Sequence, residues 1–246
     1  MASKQYIWLN GKFIDFNNAK VHILTHSLQY GSGIFEGIRA YQNGNRAAIF
    51  RLGDHVKRFI NTAKIYSMDL GFSEDELNDA IIGLVRKNKL HQCYIRPFAY
   101  YDDTRIGLST EGKKVSVSIA AIPFGNYFQN KGKGISCKVS SWKRINSEIM
   151  PPLAKASGNY RNSILASQEA KASGADEAIY TDNRAGKQNA LQRTVGVFGR
   201  CRAGRELLCA RQSEHDRQRQ LHKYRMGYSQ DCKYVRRMVR LKFPSL

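Results

Sequence analysis

The sequence has few cysteines, no long apolar run and few acidic residues relative to basic ones. Its five cysteines are scattered and form no Cys-x-x-Cys pair, which excludes a disulfide framework and argues against a metal site of that type. No run approaches the roughly 18 apolar residues of a membrane helix, and the first residues lack the apolar stretch of a signal peptide. We therefore expect a cytoplasmic protein with no bound metal and no membrane partner.

The composition is otherwise that of a folded protein. The 246 residues are 42% hydrophobic, 11% aromatic and 24% charged, which excludes a wholly disordered chain. This length suits one large domain or two modest ones.

The positive charge is concentrated in the last quarter of the chain. The formal net charge is +20, and residues 187–246 hold fifteen basic and four acidic residues, a net of +11. Such an excess suggests nucleic acid as a partner. A tail with that role should show a groove-reading helix or aromatic residues interleaved with arginine, and only Tyr224, Tyr228 and Tyr234 come near this pattern. Specific nucleic-acid binding is therefore a distant alternative, and we expect no such partner.

Regular local patterns run through residues 1–183. Asn10-Gly11 lies between two short apolar runs and predicts a hairpin, and residues 52–67 show helical spacing. Ser73-Glu-Asp-Glu76 is a capping box before an apolar stripe, and Cys93–Tyr101 alternates as a strand does. A strand at 115–122, a strand at 135–140, a helix at 161–173 and a strand at 176–181 complete the predicted elements.

These patterns predict an α/β chain of two domains. We expect a small α/β domain over 1–123, a glycine-rich linker over 124–134 and the start of a larger domain over 135–184. Within residues 185–246 the segment Arg217–Lys223 shows no apolar period of either kind, and the apolar patches at Leu207-Leu208 and Val235–Leu241 are isolated. We therefore expect the second domain to be incomplete and this basic tail not to be native-like.

Two stretches with many small residues hold candidate site residues. His26–Tyr41 contains Tyr30, Phe35 and Gly37 among closely spaced glycines, which suggests a backbone packed against a ligand. A plain turn between strands explains the spacing as well. Lys155 follows Pro151-Pro152 and has only small neighbours, so a bulky group can approach it. A desolvated lysine can bond an aldehyde, although a surface loop lysine is the simpler reading.

Three further candidates are Arg51 and the pair Tyr94 and Arg96. Arg51 stands where a helix is predicted to begin, and its guanidinium together with backbone N–H groups suits a phosphate. Tyr94 and Arg96 point to one face of the predicted strand and could hold a carboxylate. Each also has an ordinary structural explanation. Arg51 could be a solvated surface residue, and Arg96 could be paired with an acidic residue elsewhere.

Taken in order, the motifs resemble those of the branched-chain amino acid aminotransferases, pyridoxal-phosphate enzymes of fold type IV. The resemblance covers about residues 5–183. It rests on these segments in turn: H-S-L-Q-Y-G-S-G-I-F-E-G-I-R-A-Y, F-R-L-G-D-H-V-K-R-F, Y-I-R-P, S-S-W-K-R and P-P-L-A-K-A-S-G-N-Y-R-N-S.

The resemblance implies a function and a role for each candidate. It implies a transaminase that moves the amino group of leucine, isoleucine or valine to 2-oxoglutarate by ping-pong chemistry, with pyridoxal 5′-phosphate as cofactor, and a homodimer or higher homo-oligomer. Lys155 would hold the cofactor and move the substrate proton. Arg51 would bind the phosphate and Tyr160 would lie beside the cofactor ring oxygen. The substrate pocket would comprise Tyr30, Phe35, Gly37, Tyr94 and Arg96, with Tyr94 at the α-carboxylate and Arg96 at the distal carboxylate of glutamate.

The resemblance ends near Arg184. The S-E-G-x-G-E-N, G-I-T-R and S-G-T-A segments of the family do not follow, and Arg, Gln and Cys become dense instead. We expect a shift of reading frame near codon 184 and little activity from this chain as it stands. Re-reading the encoding DNA tests this, because the hypothesis requires a family-like sequence in another frame.

Two other enzymes of the same fold remain open at this point. A D-amino acid aminotransferase or an aminodeoxychorismate lyase would share the lysine and the phosphate-binding arginine. The F-E-G-I-R-A-Y and Y-I-R-P segments favour the branched-chain enzyme.

Overall fold

The computed structural model describes residues 5–124 and 136–181, together with three short strands further on. The strands are β1 (Tyr6–Leu9), β2 (Lys12–Asp15), β3 (Ile34–Phe35), β4 (Ile38–Asn43), β5 (Arg46–Ile49), β6 (Cys93–Tyr101), β7 (Val115–Pro123), β8 (Cys137–Lys143), β9 (Glu177–Thr181), β10 (Leu191–Arg193), β11 (Arg200–Ala203) and β12 (Glu206–Cys209). The helices are α1 (His26–Tyr30), α2 (Leu52–Ile65), α3 (Glu74–Lys87) and α4 (Tyr160–Ala172), and short 3₁₀ turns cover Phe16–Asn18 and Ser157–Asn159.

The chain forms two compact units. The first comprises Met1–Tyr127 with Ala154–Gly158, and the second comprises Phe128–Leu153 with Asn159–Leu246. The segment that carries Lys155 therefore belongs to the first unit, although it lies far along the chain from the rest of that unit. The predicted linker from residue 125 onwards, and most of the predicted basic tail, lie outside the described residues.

An antiparallel sheet of seven strands forms the first unit. Its order is β2-β1-β7-β6-β4-β5, with β3 paired to β6 beside β4. The predicted hairpin is confirmed, because Leu9 pairs with Lys12 across a two-residue turn. Asn10 and Gly11 both have positive φ values, 46° and 86°, as the favoured hairpin turn requires.

Two helices cover one face of this sheet. The predicted capping box at the start of α3 is confirmed: the Ser73 hydroxyl accepts from the Glu76 N–H, and the Glu76 carboxylate accepts from the Ser73 N–H. The apolar stripes of α2 and α3 pack onto strands β4, β6 and β7. The buried cluster that they form includes Val56, Phe59, Ala63, Leu77, Ile81, Leu84, Ile38, Ile95 and Ile119.

Strand β6 presents a different set of side chains on each face. Cys93, Ile95 and Ala99 are fully buried, whereas Tyr94 and Arg96 on the alternate positions are half-buried. The predicted alternation is therefore confirmed, and it directs a phenol and a guanidinium away from the apolar core.

Pro97 interrupts the ladder beside β6. Proline has no N–H to donate, and β3 ends at Phe35 opposite Phe98 while β4 begins at Ile38 opposite Ile95. Glu36 spans the interruption, with its own N–H donating to the Pro97 carbonyl at 2.9 Å. The register is the same on both sides of the interruption, so Glu36 lies opposite Pro97 and its side chain shares the helix-covered face with Ile34 and Ile38.

The described part of the second unit is built around a parallel strand pair. Strands β8 and β9 are parallel and are connected through α4, and β10 pairs with β9 in the antiparallel sense. Ala166 and Ala170 of α4 pack on Ala178 and Tyr180 of β9. Strands β11 and β12 pair separately. In the described part of the whole chain, no helix is both long enough and apolar enough to cross a membrane.

Candidate active site

The backbone around Lys155 is held as a short extension of the first unit. The Phe35 N–H donates to the Lys155 carbonyl at 3.0 Å, and the Ser157 N–H donates to the Gly33 carbonyl at 2.8 Å. On its other side the Lys155 N–H donates to the Thr62 hydroxyl of α2 at 3.3 Å. The lysine is thus anchored between a strand and a helix and is half-buried, which differs from a mobile surface lysine.

Gly33 makes this anchoring feasible. A Cβ at this position would lie 2.6 Å from the Phe98 ring and 3.3 Å from the Ser157 hydroxyl. Both separations are shorter than ordinary van der Waals contact, so only glycine lets the strand, the ring and the lysine segment meet.

Two cations lie against one aromatic ring. The Lys155 Nζ is 4.8 Å from the centroid of the Phe35 ring, and the Arg96 Cζ is 4.3 Å from the same centroid. Phe35 is 7% exposed, so its ring forms a fixed apolar wall. Both distances lie within the range of cation–π attraction. The geometry collects positive charge around an apolar surface, an arrangement that suits an organic anion.

Tyr94 and Arg96 are joined as the strand spacing predicts. The Arg96 Nη2 donates to the Tyr94 hydroxyl at 2.7 Å. Within residues 5–124 and 136–181, Arg96 forms no ion pair with a carboxylate. In this part of the chain, Arg96 is therefore not explained as the partner of an acidic residue.

Gly37 admits the tyrosine to this position. A Cβ on Gly37 would lie 2.3 Å from the Tyr94 hydroxyl and 3.1 Å from its Cζ. The space beside Gly37 is thus filled by the Tyr94 phenol. The glycines of this stretch bring side chains of β6 close to β3 and β4.

Glu36 is a residue of this region that the sequence reasoning missed. Its side chain is fully buried, and both Nε and Nη2 of Arg58 donate to it, the latter at 2.7 Å. His55 Nδ1 lies 2.9 Å from the same carboxylate. Burial by itself raises the pKa of Glu36, but the hydrogen bonds and charges of Arg58 and His55 outweigh it and lower the pKa to about 2. The signal in the sequence is the pair His55 and Arg58, three residues apart on one helix face.

Three predicted residues lie at other points of the chain. Arg51 stands just before α2 with a positive φ of 48°, and its half-exposed guanidinium pairs with Asp54 at 2.6 Å. Tyr30 ends α1, where its hydroxyl accepts from the Gly107 N–H at 3.0 Å. Tyr160 is the first residue of α4 in the second unit. The structure therefore brings together Lys155, Phe35, Gly37, Tyr94 and Arg96, and describes the other three separately.

Fold and family agree. The described part of the chain is α/β, with a lysine anchored beside an aromatic ring and an arginine–tyrosine pair on a neighbouring strand. Residues 33–187 match the family model described as Amino-transferase class IV, and the chain belongs to that family.

The chain is also similar to individual members of one group of aminotransferases. The chain is 43% identical over 178 residues to a branched-chain-amino-acid aminotransferase of Pseudomonas aeruginosa, a match that covers 72% of this chain and 58% of that protein. A branched-chain aminotransferase structure from Thermoproteus uzoniensis with norvaline is 42% identical, with a TM-score of 0.72, and the match covers 80% of this chain and 64% of that one. The holo form of the Thermobaculum terrenum enzyme, with PLP, has 30% identity, a TM-score of 0.75 and coverages of 91% and 74%. The chain thus spans less than two thirds of the length of the curated relative, and the family match ends three residues after Arg184.

Proposed function

We propose that this chain carries the lysine-bearing part of a branched-chain amino acid aminotransferase, which moves the amino group of leucine, isoleucine or valine to 2-oxoglutarate. The observation that supports it best is the contact of both Lys155 and Arg96 with the Phe35 ring. An amine that can bond an aldehyde and a guanidinium that can bind a carboxylate then share one apolar wall. The names of the relatives support the same assignment.

The donor set fits pyridoxal 5′-phosphate as the cofactor. That molecule is an aromatic aldehyde with a phosphate, so it needs a primary amine, an apolar wall and cationic donors. Lys155, Phe35 and nearby arginines offer these three. When bound, pyridoxal phosphate supplies the electron sink that accepts electrons from the substrate Cα–H bond and carries the amino group between the two half-reactions.

Each residue of the cluster then has a distinct task. Lys155 holds the cofactor through its amine and moves a proton from the substrate Cα as general base. Phe35 forms the wall against which a branched side chain packs. Tyr94 donates to the substrate α-carboxylate, and Arg96 binds the distal carboxylate of glutamate in the second half-reaction. Gly37 contributes by leaving room for Tyr94.

The phosphate has two candidate ligands, one just before α2 and one within it. Arg51 remains the prediction from sequence, but it precedes Thr62, the partner of the Lys155 N–H, by eleven residues, or about 16 Å along a helix axis. Arg58 precedes Thr62 by four residues, or about 6 Å. Its guanidinium donates to Glu36 through Nε and Nη2. Since the cofactor is a single substituted ring, this spacing favours Arg58, and Arg51→Ala against Arg58→Ala separates the two.

We also propose that the enzyme is a homodimer in the cytoplasm. Exposed apolar side chains gather on α1, the segment before it and the loop after β6, which the contacts of Gly107 with His26 and Tyr30 hold together. The exposed members are Val21, Ile23, Leu24, Leu28, Ile106 and Leu108, each between 41% and 80% exposed. A second copy of the chain would cover this apolar patch. Tyr30 lies next to this patch.

For Tyr160 we propose a position beside the cofactor ring oxygen.

An absorption spectrum tests the assignment. The purified chain is mixed with pyridoxal phosphate, recorded before and after borohydride, and then assayed for leucine with 2-oxoglutarate. We expect a visible band in the chain and in Lys64→Ala, an exposed lysine of α2, and no band in Lys155→Ala. An equal band in Lys155→Ala would refute the role of this lysine.

A comparison of leucine, D-alanine and aminodeoxychorismate as substrates distinguishes the branched-chain enzyme from the two related enzymes. Turnover of D-alanine or aminodeoxychorismate faster than that of leucine would refute the branched-chain assignment.

A further inference from the structure

Helix α2 buries one polar side chain among its apolar contacts. Thr62 is 1% exposed, whereas its buried neighbours Phe59 and Ala63 are apolar members of the core of the first unit. A buried hydroxyl destabilises a fold unless it has a hydrogen-bond partner. The Lys155 N–H is a partner of this hydroxyl and donates to it at 3.3 Å. The buried polar group of the helix is thus tied to the lysine segment.

Two hydrogen bonds hold the two peptide planes that flank the Lys155 Cα atom. The Lys155 carbonyl belongs to the plane after Cα and accepts from the Phe35 N–H at 3.0 Å. The Lys155 N–H belongs to the plane before Cα and donates to Thr62. Because each peptide plane is rigid, the direction of the Cα–Cβ bond is set once both planes are held. Phe35 holds one plane and Thr62 holds the other.

The Cα–Cβ direction decides where the lysine amine lies. Lys155 Nζ is 4.8 Å from the centroid of the Phe35 ring, so the side chain runs along the aromatic wall. The next residue, Ala156, is 3% exposed and belongs to the same core cluster as Ile34, with which it pairs. The segment is therefore anchored after Lys155 by the strand and the core, and before it through Thr62.

We propose that Thr62 is a positioning residue, whose hydroxyl holds the Lys155 backbone so that the amine is oriented for its bond to an aldehyde. The proposal rests on the proposed function of Lys155. In that condensation Lys155 first releases its ammonium proton to solvent, a C=N bond forms, and the aldehyde oxygen leaves as water with the two remaining amine protons. Without the hydroxyl the lysine keeps its amine but samples more orientations, and a reacting group that is less well oriented reacts less favourably.

A positioning role and a merely structural role predict different outcomes. If Thr62 only stabilised the packing of α2, its replacement would affect every ligand of the site alike. If Thr62 orients the amine, its replacement weakens only a ligand that bonds the amine. The loss of one hydrogen bond together with a buried donor left unsatisfied corresponds to about tenfold in binding.

The test compares two ligands that differ only in the group that meets the lysine. 4-Deoxypyridoxine 5′-phosphate has a methyl group where pyridoxal 5′-phosphate has the aldehyde. Titration calorimetry gives the Kd of each for the 246-residue chain and for Thr62→Val, which keeps the shape of the side chain without the hydroxyl. We expect the Kd of the aldehyde to rise about tenfold and that of the methyl analogue to change less than about twofold. Thr62→Ser, which keeps the hydroxyl, should recover most of the affinity for the aldehyde.

Hydrogen exchange of the Lys155 amide tests the contact without any ligand. In Thr62→Val this N–H should exchange about tenfold faster. The Phe35 and Ser157 N–H groups, which donate to backbone carbonyls, should keep their exchange rates. Equal acceleration of all three would mean that Thr62 holds the whole segment and not the lysine, and this would overturn the positioning role.

Thr25→Val is the matched control, because it removes the hydroxyl of another buried threonine. Thr25 is 2% exposed, and within residues 5–124 and 136–181 its hydroxyl has no hydrogen-bond partner. Both Kd values should therefore stay within about twofold of the original ones. Urea unfolding verifies that each variant is folded, and Thr62→Ala replaces Thr62→Val if the valine variant does not fold.

The outcomes distinguish this inference from the proposed function. Equal weakening for both ligands, or an unchanged Kd for the aldehyde in Thr62→Val, would overturn the positioning role of Thr62. An original chain that binds neither ligand, or whose Lys155→Ala variant binds the aldehyde as tightly as the original chain does, would overturn the proposed function itself.

Discussion

Acid should weaken the first unit through Glu36, and the size of the effect follows from its surroundings. The carboxyl has a pKa of about 2 in the folded chain and an ordinary value of 4.5, a difference that corresponds to about 3 kcal/mol of stability. Because the folded pKa is the lower one, this stability is complete above about pH 5 and is lost as the pH falls towards 2. Glu36→Gln abolishes the titration.

The assay is urea unfolding followed by the fluorescence of one tryptophan. Trp8 is buried in the first unit and Trp142 lies in the second, so a Trp142→Phe background reports the first unit alone. The difference in unfolding free energy between the original residue and Glu36→Gln should shrink by about 2 kcal/mol between pH 6 and pH 3. Glu111→Gln, an exposed loop carboxylate, is the control. A difference that stays constant over this range would refute the low pKa and the pairing behind it.

Three further predictions concern packing, capping and assembly. Gly37→Ala should destabilise the first unit by about 1–3 kcal/mol in urea unfolding, since its Cβ would overlap the Tyr94 hydroxyl; unchanged stability would contradict that contact. Ser73→Ala should lower the free energy of unfolding by about 1 kcal/mol, because it removes the hydroxyl that accepts from the Glu76 N–H. Ser73→Asp keeps an acceptor at this position, so its free energy of unfolding should stay close to that of the original chain. Leu108→Asp should halve the mass measured by light scattering if the apolar patch is a dimer face, and an unaltered mass would exclude that face.

Local elements could be predicted from sequence because their causes are local. The Asn10-Gly11 turn, the Ser73 capping box and the alternation of β6 depend on neighbouring residues, and each is confirmed. The joint position of Tyr94 and Arg96 follows from the two-residue period of a strand.

The pairing of Glu36 could not be predicted in this way. It depends on Arg58 and His55 of α2, which are about twenty residues away in sequence and reach Glu36 only when the helix packs on the sheet. The contact of Lys155 with Phe35 is also non-local, because it needs a segment far along the chain to return to the first unit. The sequence alone also does not show which of Arg51 and Arg58 lies nearer the lysine segment. The contact of the Lys155 N–H with Thr62 of α2 supplies that reference point. The roles of the site residues remain predictions.

The position at which the cofactor is trapped is the most direct test of Lys155 as the reactive residue. The chain is incubated with pyridoxal phosphate, reduced with borohydride, digested and analysed by mass spectrometry. We expect one modified peptide, containing Lys155, and its loss in Lys155→Ala. Modification spread evenly over exposed lysines, or none at all, would contradict the claim that Lys155 forms the reactive centre of this fold.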